Sequence, residues 1–232
     1  KPLRDICGKP LIQRVYERAC ESSAESVTVA TDDLGILRVA ESFGANVCMT
    51  SGKHNSGTDR VAEAAIILKL DDQRIVVNLQ GDEPRMPGSL IDQVAETLAA
   101  DPMASLATAC QPLDHQEEYE NPDIVKVVRD RRNVALYFSR AAIPSSGSSS
   151  HNKGDGIHWS IIRRHIGLYA YRVNYLKDFL NEDFAPLERA EQLEQLRALW
   201  RGDSILVCDA VQIPGRGVDT VTDLEAVIRY FS

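Results

Sequence analysis

Apolar positions along this chain fall into two rhythms, short unbroken runs and a spacing near the helical period, and their alternation predicts an α/β fold. Leu11, Ile12, Val15, Tyr16 and Ala19 recur at helical spacing behind Pro10, a residue favoured at the first helical position, so a helix is expected over 10–22. A strand over 27–31, a helix over 34–43, a strand over 47–50, a helix over 59–70 and a strand over 75–79 continue the pattern. That order predicts a mostly parallel sheet. The run Ile75-Val76-Val77-Asn78-Leu79 is apolar enough for a strand covered on both faces, and it leads straight into Gln80-Gly81-Asp82-Glu83-Pro84. Asp82 is thus expected at the carboxyl end of a central strand, where open α/β sheets bind ligands.

Beyond a helix over 89–100, strands are expected over 104–110, 124–128 and 134–138, with turns at Asn121-Pro122 and Asp130-Arg131-Arg132-Asn133. The last two strands suit a hairpin. The stretch over 144–156 is rich in Ser and Gly, too polar to pack, and reads as a mobile surface loop. A strand over 165–171, a helix over 174–181 and an amphipathic helix over 186–200 follow. In that last helix Leu193, Leu196 and Leu199 mark the buried side, while Glu188, Glu191, Glu194 and Arg197 read as a solvated face. After a strand over 205–208, Thr220 and Asp223 have the spacing of a capping box that opens a final helix over 223–230. No internal repeat divides the chain.

Composition narrows the class. A chain of 232 residues, 44% hydrophobic, can bury one substantial core, so one domain over 1–232 is the expectation. The 34 acidic and 26 basic residues leave a net charge of -8, which repels phosphate backbones and anionic lipid and argues against nucleic acid as a partner. No apolar run is long enough to span a membrane and no secretory signal opens the chain, so a cytoplasmic enzyme without membrane contact is expected. Cys7, Cys20, Cys48, Cys110 and Cys208 are scattered, with no C-x-x-C spacing, and read as reduced and mostly packed.

Candidate chemistry then gathers at a few positions. Nucleotidyl transfer requires Mg²⁺, which one or two carboxylates hold together with water and phosphates. Asp82 and Asp219 are the candidates, each behind a glycine that lets the backbone approach a ligand; equally, Asp82 forms a turn and Asp219 helps cap the last helix. Ser56-Gly57-Thr58-Asp59-Arg60 offers free N–H groups, a helix dipole and an arginine to a phosphate, and also reads as an ordinary N-cap. Arg140 and Arg163-Arg164-His165 suit an anionic substrate, since a guanidinium fork binds a carboxylate, or else form a solvated loop edge. His165, opening an apolar strand, reads by default as a structural histidine.

Taken together, eight segments resemble the bacterial CMP-Kdo synthetases (3-deoxy-manno-octulosonate cytidylyltransferases). They are Gly8-Lys9-Pro10-Leu11-Ile12, Ala30-Thr31-Asp32-Asp33, Ser56 to Arg60, Asn78 to Pro84, Ala135-Leu136-Tyr137-Phe138-Ser139-Arg140, Arg164 to Arg172, Pro186-Leu187-Glu188 with Leu193-Glu194-Gln195-Leu196-Arg197, and Gly217-Val218-Asp219-Thr220. The resemblance implies a Rossmann-like nucleotidyltransferase fold with a small dimerisation subdomain over about 111–172, and a homodimer. It implies transfer of CMP from CTP to the anomeric hydroxyl of Kdo, with pyrophosphate released and CMP-Kdo formed for lipopolysaccharide biosynthesis. Asp82 and Asp219 are implied to hold Mg²⁺; Lys1, Arg60, Gln80, Ser56, Gly57 and Thr58 the nucleotide; Arg140, His165, Tyr169, Glu194 and Gln195 the sugar or a close analogue. Relatives begin with a further strand and an arginine-bearing phosphate loop ahead of Lys1-Pro2-Leu3, so a chain that starts at Lys1 is expected to be truncated and inactive. The alternatives are another sugar nucleotidyltransferase, such as a CMP-sialate synthetase, and a non-catalytic nucleotide- or sugar-binding protein.

Overall fold

The computed structural model describes residues 1–54, 56–113, 115–145 and 159–232. These form two compact units. The first comprises Lys1–Glu96, Leu168–Glu182 and Val211–Ser232; the second comprises Thr97–Gly167 and Asp183–Ala210. Against the subdomain expected over about 111–172, the second unit begins earlier, adds 183–210 and leaves 168–172 to the first. From 146 to 156 the expected Ser-rich loop lies outside the described residues.

In chain order the elements are β1 (Asp5–Ile6), β2 (Lys9–Pro10), α1 (Leu11–Ala19), β3 (Thr28–Thr31), α2 (Leu34–Ser42), β4 (Asn46–Met49) and α3 (Gly57–Ile67). Next come β5 (Ile75–Asn78), α4 (Gly88–Ala100), β6 (Leu106–Pro112), α5 (Gln116–Glu120), β7 (Lys126–Arg129) and β8 (Ala135–Ser139). The rest are β9 (Arg163–Arg172), α6 (Val173–Phe179), α7 (Pro186–Glu191), α8 (Leu196–Arg201), β10 (Ile205–Asp209) and α9 (Val221–Phe231).

In the first unit α1 turns Leu11, Ile12 and Val15 inward, the stripe its spacing predicts. Leu11 and Val15 meet Ile6, Val218 and Val227, so the N-terminal hairpin, the approach to α9 and α9 itself share one core. Ile12 belongs to a second cluster with Val29, Ala40 and Ala45 under β3 and α2. β3 and β4 pair in parallel, as expected of strands joined through a helix. β5 instead pairs antiparallel with the Tyr169–Arg172 part of β9, Asn78 standing opposite Tyr169. Helix and strand order predicts the α/β class but not strand direction, and the sheet is mixed. β5 was expected to be covered on both faces; Ile75, Val76 and Val77 are only partly buried, and β9 is its one strand partner among the described residues.

In the second unit the strand order is β10-β6-β9-β7-β8. β6 and β10 are parallel, and β7 and β8 form the expected antiparallel hairpin, with Lys126 opposite Ser139 and a register shift between Val128 and Arg129. Leu113, Tyr119, Ile124 and Ile162 pack together behind the short α5, which the sequence pattern did not predict.

The single helix expected over 186–200 is corrected to two. α7 ends at Glu191, capped by Gln192, whose φ of 54° is left-handed, and α8 starts at Leu196. At about 100° per residue, positions 188 and 197 of one continuous helix would point in opposite directions. The break lets Arg197 turn back on Glu188: Nη2 donates to Oε1 at 2.6 Å and Nε to Oε2 at 2.9 Å, with both side chains buried. Two of the charges read as a solvated face, Glu188 and Arg197, are therefore interior, and Glu191 and Glu194 are partly buried.

Candidate active site

After β5 the chain turns tightly, Glu83 N donating to Gln80 O at 3.2 Å, and this presents the Asp82 carboxylate at the strand's end. The segment leading into α9 is fastened to the same turn, since Val218 N donates to Asp82 O at 2.9 Å. Gly217 permits that approach: a Cβ there would lie 2.6 Å from Glu83 Oε1 and 3.3 Å from Asp82 O. One residue further on, Asp219 emerges beside Asp82. The Lys1 ammonium donates to Asp82 Oδ2 at 2.8 Å and to Asp219 Oδ1 at 3.0 Å, so two carboxylates distant in sequence converge on one positive charge. Desolvation pulls the Lys1 pKa down, but the two hydrogen-bonded carboxylates outweigh it and the net shift is upward.

Both sequence readings of these loops turn out to be compatible. The Asp219 N–H donates to Asp223 Oδ2 at 3.2 Å, so its backbone joins the cap of α9 while its carboxylate stays in the open, 84% exposed. Likewise Ser56 caps α3, its Oγ accepting from Asp59 N at 3.1 Å, and Gly57 brings that helix start against Gln80, whose Nε2 would lie 3.0 Å from a Cβ at Gly57. Thr58 is buried, its Oγ1 3.1 Å from the Tyr171 hydroxyl, which gives its side chain a packing role. Arg60 points at Asp32 Oδ1 (3.1 Å) and donates to Thr50 Oγ1 (2.7 Å). Asp32 lies in one of the resembling segments, but nothing in its spacing singled it out.

The remaining Tyr169 belongs to the first unit and stacks on Tyr171 with ring centroids 5.8 Å apart. In the second unit, His165 Nε2 lies 3.0 Å from Thr108 Oγ1, and its ring meets Phe138 edge-on at 5.0 Å. Burial pushes its pKa down to about 3, so the imidazole is neutral across the physiological range. Arg163 is paired with Asp209 (2.8 Å), and Arg164 lies 3.7 Å from Glu118. Arg140 differs. Its Nε donates to Glu191 O and its Nη1 to Pro122 O, and no carboxylate of a described residue forms a salt bridge with it. Glu194 and Gln195 sit in the turn between α7 and α8, and the buried Gln195 Nε2 has no hydrogen-bond acceptor among the described residues.

Sequence reasoning missed Lys126 and Glu191, which surround Arg140. Lys126 had a signal: a lysine inside the otherwise apolar Ile124-Val125-Lys126-Val127-Val128 needs buried acceptors. All five cysteines are free thiols; Cys48 and Cys110 are buried and Cys208 partly so, whereas Cys7 and Cys20 are exposed. Burial drives the Cys110 thiol up to about 12, which makes it unreactive. No helix among the described residues is long and apolar enough to cross a membrane.

Against this geometry, comparison with known proteins is consistent along the chain. The cytidylyltransferase family pattern matches residues 1–205. The 3-deoxy-manno-octulosonate cytidylyltransferase of Hahella chejuensis is 51% identical over 98% of this chain and 89% of its own length. That of Coxiella burnetii is 48% identical over 100% and 93%. A solved structure of CMP:2-keto-3-deoxy-manno-octonic acid synthetase complexed with CTP superposes with a TM-score of 0.88 at 38% identity, covering 100% of this chain and 91% of that one. The 4-diphosphocytidyl-2C-methyl-D-erythritol synthase of Anaerococcus prevotii, 13% identical with a TM-score of 0.62 over 99% and 92%, shares the fold alone. The chain belongs to the 3-deoxy-manno-octulosonate cytidylyltransferase family, and its α/β architecture is that of the nucleotidyltransferases.

Proposed function

We propose that this protein transfers CMP from CTP to the anomeric hydroxyl of Kdo, the hydroxyl oxygen bonding to the α-phosphorus while pyrophosphate leaves. The observation that carries the reading is the meeting of Asp82 and Asp219 on one cation position at the end of β5. Their donor set suits Mg²⁺. The ion takes few protein carboxylates and fills its remaining positions with water and phosphate oxygens, and the Lys1 ammonium already stands where a cation is favoured. Among the described residues no cluster of three or more His, Cys, Asp or Glu competes for it. Bound there, Mg²⁺ supplies neutralisation of the charge on the phosphate oxygens.

The chain's own groups divide the remaining work. Lys1 and Arg60 bring positive charge to the triphosphate, and the helix start at Ser56, Gly57 and Thr58 offers backbone N–H groups, with Gln80 against it. On the sugar side, the Arg140 guanidinium meets the carboxylate. His165, held neutral, contributes a hydrogen bond rather than a charge. Gln195 Nε2, a buried donor lacking an acceptor among the described residues, fits a ligand rich in oxygens, and Glu194 and Tyr169 complete the set. No side chain stands out as a general base, so positioning supplies much of the rate. A homodimer and the use of CMP-Kdo in lipopolysaccharide assembly belong to the same reading.

The test is pyrophosphate release by the full-length protein from CTP and Mg²⁺, with Kdo, its 8-amino analogue, N-acetylneuraminate or no sugar. Release dependent on Kdo is expected. Preference for N-acetylneuraminate moves the protein to the sialate branch, and CTP binding without release under any condition leaves a binding protein only.

A further inference from the structure

We propose that Lys126 and Glu191 are positioning residues that together aim Arg140 at the carboxylate of the sugar acid; the inference rests on the reading of Arg140 given above. Lys126 lies on β7 with its side chain wholly buried. Its ammonium donates to the carbonyls of Asn121 (2.9 Å), Ile124 (2.6 Å) and Arg140 (2.7 Å), three protons for three acceptors. Burial lowers its pKa; the Glu191 charge opposes that shift and the Arg140 charge adds to it. Burying an ammonium is costly, and an apolar side chain would fill the same space without that cost. What the lysine adds is geometric: it ties the Asn121-Pro122 turn to the backbone of Arg140.

Glu191 completes the clamp from α7. Its Oε2 accepts from Arg140 N at 2.9 Å, its Oε1 accepts from Ser139 Oγ at 2.6 Å, and its backbone carbonyl accepts from Arg140 Nε at 2.9 Å. The Pro122 carbonyl, in the turn that Lys126 holds, accepts from Arg140 Nη1 at 3.1 Å. Two guanidinium nitrogens are therefore fixed by neutral carbonyls, while the Glu191 carboxylate binds the Arg140 main chain and the Ser139 hydroxyl rather than the guanidinium. Nη2 has no hydrogen bond to a described residue, and no described carboxylate forms a salt bridge with the guanidinium. Arg129 and Arg163, by contrast, share the Asp209 carboxylate. A guanidinium held rigidly without such a partner among the described residues is prepared for an anionic ligand.

The experiment is steady-state kinetics on the full-length protein with Glu191→Gln, Lys126→Met and Arg140→Ala, singly and in pairs. Glu191→Gln and Lys126→Met are each expected to raise KM for Kdo about tenfold while KM for CTP moves less than about twofold. In the Arg140→Ala background neither is expected to change KM for Kdo by more than about twofold, because both act through the residue already removed. Unchanged KM for Kdo in the single variants, additive effects in the pairs, or equal rises for CTP and Kdo overturn the inference. If Lys126→Met does not fold, Glu191→Gln, which preserves size and shape, carries the test. Should Arg140→Ala raise KM for Kdo while the other two do not, only the inference fails. An unmodified protein that does not use Kdo sinks the functional reading and the inference with it.

Discussion

Two acid–base contacts in this protein look alike in a list of distances and differ in every physical respect. Lys1 meets Asp82 and Asp219 where their side chains are 39%, 36% and 84% exposed, whereas Arg197 meets Glu188 with side chains only 3% and 7% exposed. An exposed pair is screened by water and contributes at most about 1 kcal/mol, so nothing in stability requires two carboxylates to gather around Lys1. A buried pair is a different matter, because removing one partner leaves a charge stranded in the interior. Glu188 also accepts from Ala185 N at 3.1 Å, and the Arg197 guanidinium lies over the Phe184 ring at 4.8 Å. The first arrangement makes sense as machinery and the second as structure.

Mutation can break that comparison in either direction. Asp82→Asn and Asp219→Asn are expected to lower turnover by several kcal/mol of transition-state stabilisation, on the order of 10⁴-fold, while the melting temperature moves by no more than about 2 °C. Near-normal rates with a large fall in Tm would falsify the assignment. Glu188→Ala should do the reverse, costing about 3–5 kcal/mol of stability by leaving Arg197 unpaired. The double variant Glu188→Leu with Arg197→Met sharpens the point, because removing both charges should recover most of that loss in a urea titration. A double variant no more stable than Glu188→Ala contradicts the account.

A smaller effect separates His165 from the exposed acids. Its pKa is held down near 3 in the folded protein, against about 6.5 when unfolded, so folding favours the neutral ring. That contribution is fully present above pH 6.5 and is lost as pH falls toward 3, amounting to about 2 kcal/mol by pH 5. Comparing urea midpoints at pH 7 and pH 5 should show the unmodified protein losing more stability than His165→Gln. Equal losses would mean that the imidazole takes up a proton in the folded state.

Much of the fold was legible because burial imposes periodicity: Leu11, Ile12 and Val15 revealed α1, and Thr220 with Asp223 marked the start of α9. Strand direction was not, since the antiparallel return of β9 beside β5 leaves no trace in hydrophobic spacing. The helix over 186–200 failed for a related reason. Its charges were assigned by helical phase, and phase carries no information once Gln192 breaks the helix and Arg197 turns inward. Within the site, Asp82 was legible from its place after an apolar strand, and its meeting with Asp219 was one of two readings of the glycine segments, which the family likeness favoured. The clamp on Arg140 was hidden because it runs largely through backbone carbonyls, which sequence does not distinguish.

The smallest expected effect probes how the exposed carboxylate is held. Thr220 Oγ1 accepts from Asp223 N at 3.1 Å, while Asp223 Oδ2 accepts from the N–H groups of Thr220 (2.9 Å) and Asp219 (3.2 Å). The hydrogen bonds from Thr220, and behind them the one from Asp219, lower the Asp223 pKa. Thr220→Ala removes the cap hydroxyl and should cost about 1 kcal/mol, or roughly 2–4 °C in Tm. Because the same carboxylate orients the Asp219 backbone, turnover should fall as well, by less than about tenfold. Loss of stability with an unchanged rate would show that the cap serves α9 alone and that the Asp219 loop is held by Val218 and Gly217 against the turn after β5.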